Sequence, residues 1–151
     1  MDQNLKLSFP GGLVTKTDMG DFILITDYPE DRGGTNISFN PWRLFLSSIL
    51  TCQGVNLAKY CVANDLDYKN IEIELESLVE DNRRDPFPEY HLKVSIPDDF
   101  PKEHIETMVE FFNDCPVVNH LTKLNPIVKT YVSDKLVSSM ERSETVKDDR
   151  K

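Results

Sequence analysis

The stretch "NPWRLFLSSILTCQGVNLAKYC", residues 40–61, decides the fold. Asn40 is placed to accept a hydrogen bond from the first free N–H groups of a helix, and Pro41 at the first helical position forfeits no donor that the helix would use. The spacing predicts a helix from Pro41 to about Ala63, ending near "NDLD". Because the segment is apolar on most faces, it reads as a buried central helix rather than a surface one. It carries two of the chain's three cysteines, Cys52 and Cys61. At about 100° per residue, nine positions amount to half a turn, so the two thiols point to opposite sides and cannot pair within the helix.

Upstream, "LKLSF" (5–9), "LVTKTD" (13–18) and "DFILITD" (21–27) are strand-like and are set apart by Gly11, Gly12 and Gly20, which predicts three short antiparallel strands. "YPEDRGGTNISFN" (28–40) has no apolar period and reads as a loop of functional length. Downstream, "IEIELESL" (71–78) and "YHLKVSI" (90–96) alternate with period two, and "VEDNRRDPFPE" (79–89) is expected to be their exposed turn. In "PDDFPKEHIETMVEFFNDC" (97–115), Pro101 opens a second helix whose Ile105, Met108, Val109 and Phe112 form a buried stripe. Pro116 opens a short third helix, "PVVNHLTK", and "PIVKTYVS" (126–133) is a closing strand. From Asp134 to Lys151 the chain is polar and unpatterned, so a single domain over 1–133 and a disordered tail over 134–151 are expected. Strands in local antiparallel groups, interrupted by helices without regular βαβ alternation, give the α+β class.

With 151 residues, 39% hydrophobic and 28% charged, the chain has the composition of an ordinary soluble domain. Seventeen Lys and Arg against 26 Asp and Glu leave a net charge of −9. With no basic stripe interleaved with aromatics, that balance argues against nucleic acid as a partner. The apolar run Leu44–Leu50 is broken by Ser47 and Ser48 and falls far short of the roughly 20 residues needed to span a bilayer. The N-terminal "MDQNLKLSFPGG" has neither the charged nor the apolar region of a signal peptide, so a cytoplasmic protein without a membrane partner is expected. Three cysteines cannot form a fully paired framework, and in a reducing compartment thiols are the resting state. His91, His104 and His120 occur without CxxC or HxxxH spacing, which argues against zinc, and no cofactor is expected.

The remaining question is which thiol works. Unpaired cysteines ordinarily pack as small hydrophobes, and that reading suits Cys61, whose face carries Ser47, Gly54, Leu57 and Ala58. Cys52 shares its face with Ser48, Val55, Asn56 and Lys59, a mixture of small, polar and basic groups. Cys115 lies between two helices just before Pro116, where unpaired N–H groups favour a thiolate, although a simple cap fits the same position and Asp114 opposes a lowered pKa.

The helix of residues 40–61, a strand like "IEIELE", then "PDDFPKEHIETMVEFFNDCPVVNHL" and "PIVKTYV" resemble the OsmC/Ohr family of thiol-dependent peroxidases, over roughly Asn36 to Val132. The marks are a small-residue, cysteine-bearing helix opened by an Asn-Pro cap and a second cysteine in a "CPV" element; "PWRLFLSS" is closer to the OsmC-like form than to the Ohr branch. The resemblance implies an OsmC-like fold with antiparallel sheets packed on the long helix in an intertwined homodimer. It also implies that Cys52 is the peroxidatic thiolate for an organic hydroperoxide or hydrogen peroxide, that Cys115 is the resolving thiol, and that a dithiol reductant closes the cycle. The family carries a carboxylate near the helix start that holds an Arg. Here Trp42 and Arg43 stand in those positions, so Arg43 or Arg32 becomes the candidate cation, with Glu30 or Asp31 as carboxylate. Two other functions suit the same residues: a redox-sensing or small-molecule-binding dimer of low turnover, and a hydrolase pairing Cys52 with His91 or His120.

Overall fold

Strands β1 (Lys6–Gly11), β2 (Val14–Asp18) and β3 (Ile23–Thr26) form an antiparallel sheet in that order. The computed structural model describes residues 5–77, 89–123 and 127–140. Gly12, at φ +57, supplies the left-handed residue at the β1–β2 reversal, a conformation that costs glycine no Cβ clash. The β2–β3 register sets Thr15 opposite Thr26, and their hydroxyls hydrogen-bond at 2.7 Å. The sheet and its β2–β3 connection leave large apolar side chains in the open, with Phe9 at 77% and Phe22 at 72% exposure.

Helix α1 runs from Pro41 to Ala63, and the Asn40 side-chain oxygen accepts the Arg43 N–H at 2.9 Å, the cap that the sequence predicts. Within the chain the helix buries one stripe, Ile49, Gln53, Leu57, Tyr60 and Cys61. The expectation of a helix covered on most faces is met only there, since Val55 and Val62 remain exposed. The described residues form two compact units that divide between Ser48 and Ile49, inside α1.

The second unit holds the larger core. Strands β4 (Glu72–Ser77) and β5 (Tyr90–Ser95) pair antiparallel, and the period-two pattern sets Ile73 opposite Val94 and Leu75 opposite Leu92. Ile73, Leu92 and Val94 pack against a cluster of Leu57, Tyr60, Cys61, Phe100, Met108 and Phe112. Each such side chain, fully buried, contributes roughly 1.5–3 kcal/mol of transfer free energy. Met108 and Phe112 come from helix α2, Ile105–Asn113. Pro101 stays extended (ψ 114°), so the chain enters α2 through a 3-10 turn at Lys102–His104 and the helix proper starts four residues later than the proline signal implies. Helix α3 spans Pro116–Thr122.

Strand β6 (Val128–Val132) does not close the fold. It pairs antiparallel with β7, Lys135–Met140, through Ser133 and Asp134 at φ 47° and 64°, the two positive dihedrals of a tight hairpin turn. The disordered tail expected from Asp134 is therefore corrected over 135–140. The polar residues Ser138 and Ser139 weaken the alternation that identifies a strand, and the pairing with β6 supplies what the local pattern lacks. The rest of that tail, and the turn expected over 79–89 apart from Glu89, lie outside the described residues.

Candidate functional site

Cys52 sits at the middle of α1, half-exposed, and Cys115 lies between α2 and α3, wholly buried at 0% exposure. The α2 helix stops at Asn113, with the Asp114 N–H bonding the Phe111 carbonyl, and Pro116 then restarts the chain as α3. This break brings the Cys115 thiol beside Cys52. Burial is the main cause that pushes the Cys115 thiol up from its ordinary value, and the neighbouring Cys52 adds to it. The backbone N–H groups of Val118 and Val117 act the other way, placing partial positive charge at the Cys115 sulfur. All three cysteines are reduced, and Cys61, pushed up by burial alone, faces the core cluster.

Two neighbours complete this arrangement. Asn56, one turn beyond Cys52, donates its side-chain N–H to the Asp114 carbonyl at 2.8 Å. Asn119 bonds the Asp114 carboxylate at 3.4 Å, and its backbone N–H bonds the Cys115 carbonyl at 2.9 Å. Sequence reasoning placed Asn56 on the face of Cys52 and missed this contact. Nothing local signals it, because its acceptor is a main-chain carbonyl fifty-eight residues away.

The two arginines occupy the N-terminal unit. Arg32 ends a 3-10 turn, Glu30–Arg32, within a loop built around the buried carboxylate of Asp27. Asp27 accepts the Thr35 hydroxyl at 2.7 Å and the Tyr28, Thr35 and Ile37 N–H groups at 2.7, 2.9 and 3.3 Å. The Thr35 hydroxyl leads these bonds in lowering Asp27 to about 2. Asp27 is a residue that sequence reasoning missed; an Asp entering a Gly-Gly-Thr loop is the signal that points to it. Arg43 is exposed and borders a shallow cavity of about 240 Å³ with Asn36, Ser38, Phe39 and Asn40. Among the described residues neither guanidinium has an ion-pair partner. Nine helical positions from Arg43 to Cys52 amount to half a turn, so on α1 the two side chains leave from opposite sides.

Neither histidine of the hydrolase reading is bound to a thiol: His91 pairs with Glu89 at 3.2 Å and His120 donates to its own helix's Pro116 carbonyl at 2.9 Å. Among the described residues no His, Cys, Asp and Glu group gathers as a metal-binding cluster, and no helix is long and apolar enough to cross a membrane.

The comparisons with known proteins agree with this architecture. A candidate osmotic stress induced and detoxification response protein from Psychrobacter arcticus 273-4 superposes with a TM-score of 0.64 at 19% identity, over 82% of this chain and 90% of that one. An OsmC-like protein from Mycoplasma pneumoniae does so with a TM-score of 0.56 at 16% identity, over 82% and 91%. At these identities the likeness concerns the fold. No curated protein matches the sequence. The OsmC family profile, described as OsmC-like protein, matches residues 33–130, a span that holds α1, β4, β5, α2, α3 and both Cys52 and Cys115. That match covers more than half of the chain and shares its α+β fold with both solved structures, so the chain belongs to the OsmC-like protein family.

Proposed function

We propose that the protein is a cofactor-free thiol peroxidase that reduces organic hydroperoxides or hydrogen peroxide in a reducing cytoplasm. The observation that carries the reading is the contact between an accessible thiol, Cys52, and a buried one, Cys115. A hydroperoxide reaches Cys52 first. Its thiolate attacks one peroxide oxygen, the O–O bond breaks, and the Cys52 sulfenic acid forms while the alkoxide leaves and takes a proton. Cys115 then attacks the Cys52 sulfur, the S–S bond forms, and hydroxide leaves with the thiol's proton as water. A dithiol reductant restores both thiols by exchange.

Burial disfavours the Cys115 thiolate, and the N–H groups of Val117 and Val118 steady the charge that builds on its sulfur as it attacks. Arg32, unpaired among the described residues, is the candidate cation for the leaving alkoxide; Arg43, which leaves α1 on the side opposite Cys52, is set aside for this role. Removal of such electrostatic help typically costs around 2.7–4 kcal/mol of barrier. The chain works as a homodimer: Phe9 and Ile23 on the first sheet with Phe22 beside it, and Tyr131, Val132 and Leu136 on the last hairpin, are apolar and exposed, which supports a second copy covering them.

The test is peroxide consumption by the purified protein with cumene hydroperoxide and dithiothreitol. Cys52→Ser abolishes turnover if the reading holds; a Cys52→Ser protein that consumes peroxide like the parent ends it. A parent protein that forms the Cys52–Cys115 disulfide but turns over at background favours the redox-sensing reading instead.

A further inference from the structure

The contact between Asn56 and Asp114 has a geometry that bears on the thiol pair. Asn56 and Cys52 are four positions apart on α1, hence on one face and about 6 Å apart along the axis. Asp114 and Cys115 are consecutive. One hydrogen bond of 2.8 Å therefore ties residue 56 to residue 114 directly beside the place where residue 52 meets residue 115. The segment it holds is otherwise irregular. Asp114 takes φ −81° and ψ 51° between two helices, and the flanking bonds, Asp114 N–H to Phe111 and Asn119 N–H to Cys115, fix the segment to α2 and α3 rather than to α1.

We propose that Asn56 is a positioning residue that holds the α2–α3 connection against α1 so that the Cys115 sulfur stays within reach of Cys52 when the latter is oxidised. The proposal rests on the peroxidatic reading of the pair and names what governs its second step. Disulfide geometry is narrow, with Cβ atoms about 3.8 Å apart and a dihedral near 90°, so a connection free to drift from α1 lowers the fraction of time in which attack is possible. Formation of the sulfenic acid does not involve Cys115 or the α2–α3 connection, so Asn56 leaves that step alone. A slowed second step exposes the sulfenic acid to another peroxide, which oxidises Cys52 to the sulfinic acid and itself leaves as alcohol.

Asn56→Leu and Asn56→Ala remove the donor, and both residues favour helix more than Asn, so α1 keeps its shape. Two readouts separate the possibilities. The first, redox titration against glutathione, measures how readily Cys52 and Cys115 join without any peroxide; both variants are expected to shift the equilibrium about tenfold toward the dithiol, the effect of one lost hydrogen bond of the stronger kind. The second, rapid-quench mass spectrometry after cumene hydroperoxide, is expected to show an unchanged rate of Cys52 oxidation, a disulfide forming about tenfold more slowly, and sulfinic acid accumulating under excess peroxide. Asn56→Gln, which keeps the donor, restores part of both. An equilibrium and a disulfide rate equal to those of the parent overturn the proposal. If the parent forms the disulfide in glutathione but ignores peroxide while the variants still shift the equilibrium, the peroxidase reading fails and the positioning role stands.

Discussion

The Cys115 thiol, with no solvent exposure, lies beside the half-exposed Cys52 sixty-three residues earlier in the chain. One thiol is reachable and the other is sheltered, a difference that supports Cys52 as the first to meet peroxide in the proposed cycle. Both the sheltered thiol and Cys61 are pushed up by burial, so the folded state holds their protons more tightly than the unfolded chain does. The sign is then fixed: above the ordinary thiol pKa of about 8.5 the unfolded state binds fewer protons, and stability falls as pH rises. Urea midpoints are expected to be flat in these two groups below about pH 8 and to decline from there toward pH 10. In Cys61→Ala the decline is shallower.

Cys61 is a packing residue in this account. Cys61→Ser places a hydroxyl against Leu57, Met108 and Phe112, and leaving it unpaired there costs about 1–3 kcal/mol. Denaturant melts are expected to show that loss, while peroxide consumption at 25 °C stays at the parent level. A Cys61→Ser protein that melts normally but loses activity would reassign the working thiol.

Asp27 binds the loop that carries Arg32. With its pKa lowered from 3.8 to about 2, its contribution is fully present above the unfolded value near pH 4 and is lost as pH falls through 2. Asp27→Asn removes a charge-assisted acceptor from the Tyr28, Thr35 and Ile37 donors. Acid titration monitored by circular dichroism should show the variant less stable at pH 7 and less dependent on pH between 4 and 2. An identical acid limb in parent and variant would remove Asp27 from this role.

Two glycines give opposite expectations. A Cβ at Gly34 runs into the Tyr28 carbonyl, which is backbone and cannot swing away, so Gly34→Ala displaces the loop and costs more than about 1 kcal/mol. At Gly54 in α1 the added methyl meets only Ile73 Cδ1 at 3.8 Å, an ordinary contact. Gly54→Ala is expected to gain up to about 1 kcal/mol from helix propensity. Thermal melts of the two single variants, run side by side, check both signs.

These residues show what was legible in the chain. Asn40 and Pro41 announce α1 because capping is a local chemistry, and the alternation in "IEIELE" and "YHLKVS" announces β4 and β5 because period two is local as well. β7 escaped notice because Ser138 and Ser139 interrupt its apolar alternation and its stability comes from the β6 register and the Ser133–Asp134 turn. The meeting of Cys52 with Cys115 was available only through family resemblance, since no periodicity links positions so far apart. Asp27 and Asn56 were invisible for a related reason: their partners are main-chain groups, whose positions depend on the finished fold.

The central claim is tested most directly by intact mass and free-thiol count of the purified protein before and after one equivalent of cumene hydroperoxide, with peptide mapping of any link. The expected result is a rapid loss of two hydrogens, a Cys52–Cys115 disulfide and one remaining thiol at Cys61. Three unreacted thiols, or a link that includes Cys61, would contradict it.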